Sequence, residues 1–202
     1  MKSKAIFLAV FTSVMVLVLD QGSKIWVKTS MYIGQEFQMA GNWFFIHFTE
    51  NNGMAFGMEF AGENGKLYLT LFRIAASIAM LIYLIKIVRD KEHSGLIVSF
   101  ALIFAGALGN IIDSVFYGVI FEHSHHQIAE LLPEAGGYSK LFYGKVVDML
   151  YFPIYSNQFP EWLPLVGGDP FLFFRPVFNV ADTAISTGVI SIVVFQKKFF
   201  PK

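Results

Sequence analysis

Residues 96–117, LIVSFALIFAGALGNIIDSVFY, decide how the rest of the chain is read. At a rise of about 1.5 Å per residue, a helix of this length crosses the ~30 Å hydrocarbon core of a bilayer. Strongly polar residues enter only near its end, at Asn110 and Asp113, three apart and so on one helix face. An ionisable side chain inside a membrane helix is costly and is by default a functional residue. The stretch therefore points to a membrane bundle with chemistry concentrated at one depth.

Three more stretches match it: residues 5–27, 67–88 and 176–195. The 202 residues suit one domain, and 55% are hydrophobic while 15% are charged. Ordinary soluble domains hold about 45–50% and about 25%. The zero net charge excludes a global basic field for nucleic acid. With no cysteine there is no disulfide, thiolate metal site or thiol nucleophile. Lys2 and Lys4 before an apolar run resemble a secretory signal, but no small-residue cleavage site follows. Apolar character resumes at Ile25, Trp26 and Val27 beyond Asp20 and Lys24, so the first stretch is expected to stay as a helix.

Basic residues set the expected orientation. Lys2 and Lys4, Arg89 and Lys91, and Lys197, Lys198 and Lys202 all fall on one side if the chain crosses four times. That side is expected to be cytoplasmic, with residues 28–66 and 118–175 outside. Helical rise then puts Asp20, Arg73, Asn110 and Asp182 each roughly 20–22 Å from the inner end of its helix. Asp20 with Lys24 shares a face at four-residue spacing, and Asn179 with Asp182 at three. Arg73 belongs either to this layer or to the outer surface by snorkelling.

Outside the bilayer, residues 42–48 (NWFFIHF) read as a strand near the membrane surface. A turn follows at residues 50–57, and residues 118–175 read as loop and short strand with an amphipathic patch. The expected fold is an all-α membrane protein with four transmembrane helices, a small extracytoplasmic β-containing region and a membrane-surface loop or helix. Asp148, inside the apolar run 144–150, is either a turn or cap residue or a catalytic acid.

Five elements, in order, resemble the motifs of the lipoprotein signal peptidases, a family of intramembrane aspartic proteases. Asp20 and Lys24 match D-x-x-x-K. Residues 51–57 (NNGMAFG) resemble N-x-G-x-A-F-G, residues 106–113 (GALGNIID) resemble the G-N-x-x-D element, Val146-Val147-Asp148-Met149 resembles V-V-D-F, and residues 178–182 (FNVAD) resemble F-N-x-A-D. The resemblance implies a catalytic pair, Asp148 and Asp182, with Asp20, Lys24, Asn51, Gly53, Asn110, Asp113 and Asn179 binding substrate or supporting the site. It implies diacylglyceryl-modified prolipoproteins as substrates, cut just before the lipidated cysteine in the bacterial inner membrane. Membrane lipids are the other expected partners. No cofactor, metal or nucleic acid is implied, and the protein is expected to act as a monomer. Ser114 stands where the family carries arginine, with Arg73, Lys145 and Arg175 as candidate replacements.

Two rival readings remain at this level. His123, His125 and His126 with Glu122 could serve a metalloprotease, although no H-E-x-x-H helix exists. A small transporter or proton-coupled channel would also place acids in membrane helices, but spread through the bilayer depth. Residues 119–143 resemble an insertion. Within it, Ile128, Leu131 and Leu132 predict a short helix ended by Pro133 and Gly136-Gly137, acting as a lid or as surface decoration.

Overall fold

A computed structural model describes residues 2–53, 64–158, 160–165, 167–173 and 175–201. Helices α1 (Lys2–Ser30), α2 (Gly65–Arg89) and α3 (Ser94–Ile112) are followed by a π-helical stretch, Asp113–Tyr117, and the short α4 (Gly118–Ile120). Helices α5 (Val180–Val194) and α6 (Gln196–Phe199) close the chain. Between them lie strands β1 (Glu36–Ala40), β2 (Phe44–Asn51), β3 (Val146–Tyr151), β4 (Tyr155–Gln158), β5 (Pro170–Phe173) and β6 (Val177–Phe178).

Three helical stretches, Ser3–Ser30, Gly65–Arg89 and Ser94–Ile120, are long and apolar enough to cross a membrane, so this is a multi-pass membrane protein. Their large apolar side chains face outward where a soluble protein would hide them: Phe7, Val18, Phe72 and Ile82 are all more than half exposed. Facing lipid, those side chains lose nothing by exposure, and helix association rests on close packing and polar contacts. Helix α3 supplies the packing, with α1, α2 and α5 all against it. A side-chain carbon at Gly106 would meet the Ala181 carbonyl, and one at Gly109 would meet the Asp20 carboxylate. These two glycines let α1 and α5 approach α3 closely.

Outside the long helices lies an antiparallel sheet in the order β1-β2-β3-β6, with β4 and β5 forming a separate pair. Val27 of α1 and Met31 just past its end pack with Phe48, Val147, Met149 and Tyr117 in one core that joins sheet to bundle. Register between β2 and β3 shifts between Ile46 and Thr49 and resumes with Thr49 opposite Asp148.

The structure departs from the sequence expectation at three elements. The apolar run 176–195 is helical only over Val180–Val194, too short to count with the long spans. Val177 and Phe178 pair instead with Tyr151 and Leu150 of β3, and Asn179 caps the helix. The first helix runs three residues past Val27, to Ser30, which carries Lys28 into the interior. The helix expected around Ile128–Leu132 is not formed. The Glu122 N–H donates to the Glu130 carbonyl at 3.0 Å and the Leu132 N–H to the Ile120 carbonyl at 2.7 Å, so the segment folds back on itself. Leu132 adopts a φ of 56°, in the left-handed region where a right-handed helix cannot continue.

Candidate active site

Asp148 lies at the middle of β3, between β2 and β6, and is 5% exposed. Its two carboxylate oxygens are held from opposite directions. Asn51, at the end of β2, donates Nδ2 to Oδ2, and Asn179, the cap of α5, donates Nδ2 to Oδ1 at 2.7 Å. Asn179 keeps its amide in this orientation because its own Oδ1 accepts the Asp182 N–H at 2.9 Å, as an N-cap does. Burial pushes the Asp148 carboxyl up to about 7; the nearby Asp182 charge adds to this, while Lys24, Asn51 and Asn179 oppose it.

Asp182 sits in the first turn of α5, and its Oδ2 accepts the Asn179 N–H at 3.3 Å to complete a capping box. Its other oxygen accepts Asn110 Nδ2 from α3 at 2.9 Å. The orientation of Asn110 is set by Lys24, whose Nζ lies 2.9 Å from Asn110 Oδ1. An ammonium can only donate, so the amide oxygen must face Lys24 and the amide nitrogen must face Asp182. Asn179 Nδ2 also reaches Asn110 Oδ1, at 3.1 Å. The two acids are thereby linked through two asparagines from different helices.

Below this pair, Lys24 is wholly buried and bonds Asp20 at 2.9 Å and Asp113 at 2.8 Å. Asp20 Oδ1 accepts the Ala181 N–H at 2.9 Å, tying α1 to the start of α5. Asp113 Oδ2 accepts the Val147 N–H at 3.3 Å, tying the π-helical stretch to β3. Gln21, which sequence spacing did not single out, donates to Asp113 Oδ1 at 2.9 Å and receives the Tyr117 hydroxyl at 3.2 Å.

The structure thus brings Asp20, Lys24, Asn51, Asn110, Asp113, Asp148, Asn179 and Asp182 into one connected network. Gly53 is beside it: its N–H donates to Asn51 Oδ1 at 2.6 Å, its carbonyl accepts Arg73, and its φ of 85° suits glycine. Residues Met54, Ala55, Phe56 and Gly57 of the same motif lie outside the described residues. Ser114 is buried and spends its hydroxyl on the Asn110 carbonyl at 2.9 Å. Of the candidate replacements for the family arginine, Lys145 pairs with Glu50 and Arg175 is exposed, whereas Arg73 reaches the Asn51–Gly53 turn. His47 lies in β2 and contacts Glu36 at 2.6 Å. Among the described residues no three His, Asp or Glu side chains converge as a metal-binding group.

The sequence pattern of the family described as Signal peptidase (SPase) II matches residues 12–198. The chain belongs to the signal peptidase II family. It is 54% identical over 182 residues to the lipoprotein signal peptidase of Porphyromonas gingivalis, covering 90% of this chain and 79% of that one. It is 37% identical over 188 residues to the lipoprotein signal peptidase of Amoebophilus asiaticus, covering 92% and 75%. A solved bacterial membrane enzyme superposes with a TM-score of 0.61 at 26% identity, over 96% of this chain and 91% of that one. As a signal peptidase II, the protein is a protease that removes signal peptides from prolipoproteins. The reading as a transporter or proton-coupled channel is not supported.

Proposed function

We propose that Asp148 and Asp182 form the catalytic dyad of an aspartic endopeptidase that cuts diacylglyceryl-modified prolipoproteins just before the lipidated cysteine. One observation carries the reading: two acids from separate elements, Asp148 buried and Asp182 half-buried, are bridged by Asn110 and Asn179. Like charges at close range in low dielectric do not both ionise easily, so the pair keeps one proton between them. The ionised member takes a proton from the attacking water; the protonated member polarises the scissile carbonyl and then supplies the proton for the leaving amine. Such a pair titrates as a unit, so acid and base are shared roles. Asn110 and Asn179 hold the carboxylates, and Lys24 keeps the Asn110 amide turned toward Asp182.

In this reading the chain crosses the inner membrane four times, with α5 as the fourth crossing and both termini cytoplasmic. The site then faces the periplasmic side, where a signal helix ends and its lipid begins. The chain acts as one domain and as a monomer on precursor and lipid, without a cofactor.

The test uses purified protein in detergent with a lipidated precursor and the same precursor left unlipidated. The lipidated form should be cut before its cysteine, and cutting should survive chelators, thiol reagents and serine-directed inactivators. Loss of activity in chelator, restored by zinc, would contradict the dyad chemistry. Equal cutting of the unlipidated form would contradict the substrate assignment.

A further inference from the structure

Residues 119–143 neither form the expected helix nor stand off as decoration. They wrap Lys28. This side chain is 0% exposed, its Nζ is 2.5 Å from Glu50 Oε1 and donates to Ser124 Oγ at 3.0 Å. The ammonium lies 5.8, 5.3 and 5.1 Å from the ring centres of Phe48, Phe121 and Tyr138. Ser124, Phe121 and Tyr138 all come from the segment, whose Ala129 N–H also donates to the Lys28 carbonyl at 3.3 Å. Lys145 stands 3.8 Å from the second Glu50 oxygen, and its N–H donates to the Tyr138 hydroxyl at 2.6 Å.

A buried ion pair is a weak source of stability, since well-packed apolar side chains of similar size often do as well or better. Its value must lie in position. Neighbouring strand residues point to opposite faces. Glu50 therefore points into the core with Ile46 and Phe48, while Asn51 points to Asp148. The register of β2 on β3 breaks between Ile46 and Thr49, so the paired end Thr49–Asn51 is set off from the rest of the ladder and the Lys28–Glu50 pair anchors that end from the opposite face.

We propose that the Lys28–Glu50 pair, enclosed by residues 119–143, is a positioning device that clamps the end of β2 so that Asn51 keeps its hydrogen bond to Asp148. The inference rests on the assignment of Asp148 to the dyad. Its signature follows from charge. Asn51 donates to the Asp148 carboxylate and favours its ionised form, so a loosened Asn51 moves the titration of the dyad to higher pH. The other groups facing Asp148 are Asp182 and Asn179 at the start of α5 and Lys24 of α1. Those facing Glu50 are Lys28, Lys145, Tyr138 and Lys66. Removing Glu50 alone would change the local field, so the decisive variant removes one charge of each sign.

The variant is Lys28→Met/Glu50→Gln in the full-length protein, assayed against lipidated precursor across pH. Expected are a fall in kcat of about tenfold to a hundredfold with little change in KM, and an alkaline limb of kcat/KM moved up by roughly half a unit or more. The melting temperature should hold. Lys28→Arg, which keeps the pair, should keep the pH profile. A double variant with the original kcat and profile overturns the inference. So does one that loses activity only in step with its melting temperature, or fails to fold, because the pair is then structural. Asp148→Asn separates the two claims. If it still cleaves, the dyad reading fails; if it is inactive and the double variant is normal, only this inference fails.

Discussion

At the scale of single residues, Lys24 shows how a charge can order neutral neighbours. It reaches Asp20, Asp113 and Asn110 together, and the direction of its hydrogen bonds fixes which end of the Asn110 amide meets Asp182. The pairing of Asp20 with Lys24 was legible from their four-residue spacing. The Asp113 bond was not, since it joins helices far apart in sequence. Asn51 and Asp148 are likewise 97 residues apart, and only the motif resemblance linked them. Lys28 and Glu50 had a signal that spacing could have supplied. Lys28 follows Lys24 by one helical turn, and Glu50 falls on the alternation of Ile46 and Phe48. Asp20→Ala should leave Lys24 short of one partner and the Ala181 N–H unsatisfied. Both thermal stability and cleavage should fall, with a stability loss of about 3–5 kcal/mol, the usual cost of breaking a buried pair. A thermal melt beside the activity assay checks this; lost activity with an unchanged melt would place Asp20 in the reaction itself. The pH expectation also belongs here. Burial raises the Asp148 carboxyl to about 7, so the pair keeps its shared proton below that pH and gives it up above. The free-enzyme profile, kcat/KM measured over roughly pH 5–9, should fall on the alkaline side from about 7. A profile flat to the alkaline end would contradict the assignment.

At the scale of elements, the first three long helices were legible because apolar runs of that length have few other uses. The fourth was misread at its start. Hydropathy cannot separate strand residues Val177 and Phe178 from the helix they precede, and only the cap at Asn179 marks the boundary. That boundary matters, because it puts Asp182 in a first turn beside the sheet. The insertion was misread because the apolar spacing of Ile128, Leu131 and Leu132 fits a helix locally, while long-range backbone bonds to Ile120 and Lys28 decide otherwise. The close approach of α3 and α5 gives a direct test. Gly106→Leu would drive a side chain into the Ala181 carbonyl at the start of α5. It should lower the melting temperature and nearly abolish cleavage, since helix overlap there sets the Asn110–Asp182 bond. Gly53→Ala is strained by its positive φ and meets the Arg73 guanidinium. It should reduce cleavage by about tenfold with the bundle intact, a local backbone strain of ~1–3 kcal/mol acting at Asn51. Circular dichroism and the cleavage assay distinguish the two cases.

At the scale of the whole molecule, a membrane bundle and a small sheet meet along one polar layer, and each part completes the other. The helices supply Asp20, Lys24, Asn110, Asp113 and Asp182; the sheet supplies Asn51 and Asp148. The meeting of Asp20, Asn110 and Asp182 in one network agrees with their equal rise along the helices, whereas the arrival of Asp148 beside them needed the fold of β3 between β2 and β6. In the proposed four-crossing chain, the three basic clusters would put both termini on the cytoplasmic side. A reporter fused after Lys202 should therefore read as cytoplasmic, and a periplasmic signal would refute four crossings. Catalysis as proposed stands on the two acids. The measurement that reaches it most directly is single-turnover cleavage of a diacylglyceryl-modified precursor by purified protein and by Asp148→Asn and Asp182→Asn. Each variant should insert and melt like the parent and lose cleavage by at least about a thousandfold, as expected when half of a proton-sharing pair is removed. Substantial turnover by either variant would contradict the dyad.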